Sequence, residues 1–200
     1  MPDTFKPIAV EGGKANQKVE RKLLMTFVDV SSSGGSSPEW ELQGRSVEDA
    51  SVEYNHDASQ TTDILGKVDT DVAAAMPQIT MDPNTLRAGQ KLNAKLVDIE
   101  RRGATSELST FKVLQVYAFL SGTGAGPFEA DTYDNCTIVP QSLGGSSYVG
   151  MPFDLYLSGD RTAGTATIKP GTGGGLATAT FTPPTRNNRE GITHGRADHA

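Results

Sequence analysis

Ser51 to Val72 reads SVEYNHDASQTTDILGKVDTDV, and the way its residues alternate decides how the chain is read. In a β-strand, successive side chains point to opposite faces. The segment Arg45 to Asn55 then puts Ala50, Val52 and Tyr54 on one face and Asp49, Ser51, Glu53 and Asn55 on the other. NHDASQT, Asn55 to Thr61, has the residues of an exposed turn. Beyond it, Thr62 to Val72 puts Ile64, Gly66, Val68 and Val72 on one face with Thr62 and Thr70, and Asp63, Leu65, Lys67, Asp69 and Asp71 on the other. Paired as a hairpin, the two strands are expected to offer a core face and an acidic face carrying Asp49, Glu53, Asp63, Asp69 and Asp71.

The acidity extends beyond this hairpin. Between Glu39 and Asp71 lie nine carboxylates and two bases, Arg45 and Lys67. A surface of one sign is always somewhat unfavourable through self-repulsion. The whole chain of 200 residues has a net charge of −6, which argues against a protein that grips nucleic acid, since that needs a basic footprint. A surface that lets nucleic acid pass without holding it is still compatible with this balance.

Outward from the hairpin, the pattern stays mostly β. KLLMTFVDV, Lys22 to Val30, is a strand, and SSSGGSSP, Ser31 to Pro38, is a flexible loop leading to WELQG, Trp40 to Gly44. Asp82-Pro83-Asn84 is a stop, and Thr85 to Arg102 carries the one helical pattern, with Leu92, Leu96 and Ile99 on a single stripe. Gly103 terminates it, and Arg101 and Arg102 suit the negative end of the helix dipole. TFKVLQVYAFL, Thr110 to Leu120, is apolar on both faces and reads as a central strand covered on each side. Thr137 to Leu143, Tyr148 to Ser158, Thr165 to Lys169 and Leu176 to Phe181 complete about eight strands, the last closing the sheet. The expected fold is mainly β, a sandwich or barrel over residues 22–182 with one flanking helix. A flexible N-terminal arm (1–21), extended loops and a mobile polar tail (183–200) surround it.

Catalytic chemistry finds little support. Gly122 to Gly126 is not G-x-G-x-x-G and is followed by Pro127 instead of a helix, and Gly171 to Gly175 lacks the Lys-Ser/Thr of a phosphate loop. His194 and His199, with Asp198 between them, lie in the tail, and nothing ties His56 to Cys136 or to a serine. No metal, cofactor or catalytic residue is expected. Cys136 is the sole cysteine, so no intrachain disulfide forms. MPDTFKPIAVEGG has no charged-then-apolar signal pattern, and no apolar run reaches the ~20 residues of a membrane span.

A resemblance joins these readings. Trp40-Glu41-Leu42-Gln43-Gly44, then SVEDASVEYNHDASQTTDILG (Ser46 to Gly66), Val68-Asp69-Thr70, Pro77-Gln78-Ile79-Thr80-Met81-Asp82-Pro83 and the helix ending Leu96-Val97-Asp98-Ile99 resemble the major tail tube proteins of long-tailed bacteriophages. The likeness runs from Trp40 to Arg102, and from Phe111 to Lys169 in outline. It implies a β-sandwich flanked by a helix, whose copies form hexameric rings that stack into a hollow tube for genome delivery. It implies no catalytic site, cofactor, metal or membrane anchor. The partners it implies are the chain itself and other tail proteins such as the tape measure and the tail terminator, with DNA passing through unbound. The chain would then reside in the virion tail, and in the host cytoplasm during assembly. In that setting the acidic face is expected to line the lumen, and Asn55, His56, Asp57 and Gln60 at the turn to contact neighbouring subunits or rings. Three other readings are open: a tail terminator or the inner tube of a contractile injection machine; a monomeric sandwich whose Tyr117, Phe119, Tyr148, Phe153 and Tyr156 line a groove; and an enzyme.

Overall fold

A computed structural model describes residues 8, 16–31, 37–45, 47, 49–120, 126–171 and 177–184. Among them run the strands β1 (Leu24–Asp29), β2 (Trp40–Leu42), β3 (Val52–Glu53), β4 (Ala58–Thr62), β5 (Val68–Val72) and β6 (Gln78–Met81). The helix α1 (Lys91–Arg102) follows, then β7 (Phe111–Tyr117), β8 (Phe128–Pro140), β9 (Phe153–Tyr156), β10 (Arg161–Lys169) and β11 (Thr178–Thr182). The expected fold class holds: the protein is mainly β, a curled antiparallel sandwich with a single α-helix among the described residues. The arm and the tail lie largely outside the described residues, as do most of the Gly/Ser loop and both glycine-rich loops. No helix among the described residues is long and apolar enough to cross a membrane.

Two sheets share β8. Its first half pairs with β7 on one side and β10 on the other, in a layer ordered β2-β1-β7-β8-β10-β11. That layer curls until β11 lies alongside β2. The second half of β8 pairs with β9 and leads a sheet ordered β8-β9-β6-β3. The change of partner falls at a bulge. Phe111 pairs with Cys136 and Val113 with Tyr133, so two steps along β7 match three along β8. Asn135 absorbs the extra residue in a left-handed conformation, φ 55°, which asparagine tolerates better than other side chains with a Cβ. Without the bulge, every residue after it would face the wrong layer. With it, Tyr133, Cys136 and Ile138 all face the same core.

The alternation of β1 and β7 sorts their side chains into two cores. Phe27, Leu114 and Val116 point into the curled layer with Trp40, Phe128, Ala130 and Ala166. Val28, Phe111 and Val113 point the other way, onto Ile79, Met81, Phe153, Leu155 and the helix residues Leu92, Leu96 and Ile99. This is why Thr110 to Leu120 reads as apolar on both faces. Each fully buried Phe, Leu or Ile contributes about 1.5–3 kcal/mol of transfer free energy.

The helix starts at Lys91, later than its periodicity suggests, because Gly89 takes φ 86° and Asn84 is buried, donating to Asn93 Oδ1 (2.9 Å) and to the Met151 carbonyl (3.0 Å). Its N-terminus receives no cap from Gln90. Glu41 supplies one from β2 instead, accepting from the amides of Lys91 (2.7 Å) and Leu92 (3.3 Å). A carboxylate at the positive end of a helix dipole is favourable, and here it also staples the helix to the sheet. Gly103 at φ 66° closes the other end, its amide meeting the Glu100 carbonyl and that of Ala104 the Ile99 carbonyl.

The expected hairpin is corrected. β3 is only two residues long and pairs with β6, a strand the alternation pattern did not single out. The first half of β8 was likewise missed. Tyr148 precedes β9 and is exposed.

Two tests follow from the bulge and its neighbour. Asn135→Val should lower stability by about 1–2 kcal/mol in urea unfolding, and Asn135→Gly should leave it nearly unchanged. Burial pushes the Cys136 thiol up to about 11 from 9.0, so the native protein should resist a thiolate-directed reagent that labels the urea-unfolded chain at once. Because the folded value is the higher one, the stability contribution is complete below 9.0 and is lost as pH rises through about 11.

Candidate functional site

The hairpin within the opening stretch runs from Ala58 to Val72 and is paired strand to strand by β4 and β5 alone. Its turn is Asp63-Ile64-Leu65-Gly66-Lys67. The Asp63 amide donates to the Lys67 carbonyl (2.9 Å) and the Gly66 amide to the Asp63 carbonyl (3.0 Å). The Asp63 carboxylate accepts from the amides of Leu65 (2.8 Å) and Lys67 (2.9 Å). Gly66 sits at φ 80°, where a side chain would strain the backbone. This is a three-residue hairpin loop ending in a left-handed glycine, and aspartate is the residue that closes such turns. The tip is therefore Asp63–Lys67, and the expected tip at Asn55–Thr61 is instead the root and the first strand.

The root is held by backbone and side-chain bonds. Asn55, at φ 48°, donates from Nδ2 to the Met76 carbonyl (3.3 Å), and His56 Nδ1 lies 3.2 Å from the Ala73 carbonyl. The His56 ring stacks on Tyr54 at 6.2 Å. The Asp57 carbonyl accepts from the Ala73 amide (2.7 Å). Gln60 stands opposite Thr70 in the middle of the hairpin.

Beyond the root the hairpin is a free-standing ribbon. Every residue from Glu53 to Ala74 is exposed, so the expected core face of this hairpin does not exist. The register gives one neutral face (Ala58, Gln60, Thr62, Val68, Thr70, Val72) and one face where Asp69 and Asp71 oppose Thr61 and Ser59. Ile64 and Leu65 at the tip are 102% and 87% exposed. A lone two-stranded ribbon is marginal in water, and its outer edges carry unpaired backbone groups.

The five acids expected on one face are divided by the fold. Asp49 is bridged to Asp82 through the backbone and accepts from Ser51 Oγ (2.7 Å), and Glu53 ends β3, so both belong to the margin of the β8-β9-β6-β3 sheet. Asp63 is engaged in its turn. Asp69 pairs with Lys67 at 3.0 Å. Asp71 is on the ribbon beside it.

Two further sites were not visible in the sequence. A cavity of about 680 Å³ opens beside β1 and β2, its floor formed by Leu24, Leu42, Val47 and Met81. Arg21, Lys22 and Arg45 also line it, and among the described residues no carboxylate does. Arg21 donates to the carbonyls of Leu24 and Ala50, and Lys22 pairs with Glu20. Only the separation of Arg21-Lys22 from Arg45 by a strand and a loop hid this grouping. The second site is a polar row across β7, β8 and β10. Buried Asp131 pairs with Arg161 at 2.8 Å, Tyr117 donates to Gln115 Oε1 at 3.1 Å, and Gln115 Nε2 has no partner. Burial, reinforced by Tyr133 and Asp131, pushes the Tyr117 hydroxyl far up, so it stays protonated.

The aromatics of the binding-module reading do not share a groove. Phe153 is in the core, Tyr117 meets Phe119 edge-on at 6.1 Å, and Tyr148 is 80% exposed. Among the described residues no three of His, Cys, Asp and Glu gather as a metal would need. Comparison with known proteins finds no family model and no curated protein that matches this chain.

Asp63→Ala should open the ribbon without unfolding the sandwich. Hydrogen exchange across Ala58–Val72 should accelerate by about tenfold or more, while the melting temperature barely moves, because the ribbon buries no core.

Proposed function

We propose that this chain is a structural subunit that assembles with copies of itself into stacked hexameric rings, forming the hollow tail tube through which a bacteriophage genome is delivered. The observation that carries this reading is the ribbon Ala58–Val72, exposed along its whole length with Ile64, Leu65, Val68 and Val72 in water. A monomer gains nothing by holding such a surface ordered. A subunit gains an interface from it when a neighbour covers it. The open margin of β3 and the ribbon's edges supply backbone groups for extending a sheet between copies. The sequence likeness from Trp40 to Arg102 supports the same reading, and the ribbon falls inside that stretch.

A ring requires one surface of each subunit to meet a different surface of the next. The role needs no catalytic residue, cofactor or metal. Its partners are other copies, the tape measure and the tail terminator, in the virion tail and, during assembly, the host cytoplasm. DNA passes through without being held. Of the acids first expected along the lumen, Asp49 and Glu53 are retained for it because they sit on the main sheet, whose continuation from subunit to subunit would wall the channel. At cellular salt the screening length is about 8 Å, so such carboxylates repel phosphate near the wall and leave the middle of the bore unaffected.

Sedimentation velocity across a concentration series, with negative-stain microscopy of the concentrated protein, is expected to show rings and tubes. A chain that stays monomeric throughout, even with the tail initiator complex, would overturn the reading. A sheath around the tube would mark the contractile kind of machine. Asp49→Lys with Glu53→Lys is expected to leave tubes intact and slow DNA ejection several-fold. Ejection at the normal rate would remove these two residues from the lumen.

A further inference from the structure

The ribbon tip and the cavity beside β1 and β2 are complementary, and they are not joined within one molecule. The tip presents two aliphatic side chains, Ile64 and Leu65, that are almost wholly in water. The cavity presents an aliphatic floor and a volume of about 680 Å³, within the roughly 300–1,000 Å³ of built binding pockets. The charges are complementary too. The ribbon carries Asp63, Asp69 and Asp71 against one base, Lys67, and the cavity is lined by Arg21, Lys22 and Arg45. At about 3.3 Å per residue, Asp69 and Asp71 stand roughly 10 and 17 Å behind Gly66, on a single face. A tip seated in the cavity would therefore bring them past its mouth.

We infer that Ile64 and Leu65 of one copy dock in the cavity between β1, β2 and the Gln43–Ala50 segment of a second copy, with Asp69 and Asp71 set against Arg21, Lys22 and Arg45. The inference rests on the self-assembly proposed above and specifies the contact that drives it. Transfer of the two aliphatic side chains supplies affinity, and the opposed charges select orientation. The contact is heterologous: each copy gives a tip and receives one. It propagates until a ring closes or a stack is capped. It also explains why the ribbon bears acids on one face only. The neutral face is left free to meet the walls of the receiving copy.

Three measurements on the full-length protein test this. A Leu65→Cys chain mixed with an Arg45→Cys chain should form a disulfide-linked heterodimer on mild oxidation, with the buried Cys136 taking no part. Ile64→Ser with Leu65→Ser should raise the concentration needed for assembly by at least about tenfold. Lys22→Glu with Arg45→Glu should do the same, and mixing that chain with an Asp69→Lys, Asp71→Lys chain should restore the contact between them. If wild-type protein forms rings while the cysteine pair never links and the serine variant assembles normally, the docking is refuted and self-assembly stands. The docking is equally refuted if the charge-reversed cavity impairs assembly and the tip variants do not, because the cavity then receives something else. If wild-type protein neither assembles nor links at any concentration, both readings fall.

Discussion

The architecture depends on one strand changing partners. β8 belongs to the curled layer through its first half and to the β9-β6-β3 sheet through its second, and the residue that permits the change is Asn135 in a left-handed conformation. The bulge reverses which parity faces inward, so a single strand lines one core before and after the bend. Everything downstream inherits that geometry. β6 reaches its place only because β9 pairs with the end of β8, and β3 is then a two-residue margin beyond β6. The ribbon departs from that margin, with no neighbouring sheet to lie against.

The second organising contact is electrostatic. Glu41 caps a helix some fifty residues further along the chain, and Glu39 pairs with Lys91 in the same place. The acids of the Trp40–Leu42 stretch are thus partly internal partners of α1. That leaves the uncompensated negative charge to the β3 margin and the ribbon. A count of charges along the chain weights all of these equally, whereas the fold separates those already engaged from those free to act on a partner.

Surfaces of opposite character are also kept apart. The basic cavity lies beside β1 and β2, and the acidic ribbon springs from the far margin of the other sheet. A molecule with an apolar, acidic projection in one place and an apolar, basic recess in another is built for contacts between unlike faces. The free-standing ribbon and the cavity carry the functional argument together, and the sandwich between them serves as a rigid spacer.

The chain's own pattern determined the mainly β class, the double-sided burial of β7, the helix stripe Leu92, Leu96, Ile99 and its stop at Gly103, because periodicity and glycine punctuation are local properties. It also placed Asp69 and Asp71 on a common face, since alternation needs no knowledge of the partner strand. Tertiary structure alone decided that β3 pairs with β6, that the hairpin turns at Asp63–Lys67, and that neither of its faces is covered. Pairing is a competition between distant strands, and no local pattern states its outcome. The cavity was equally hidden, because Arg21 and Arg45 become neighbours only when β1 and β2 are laid side by side.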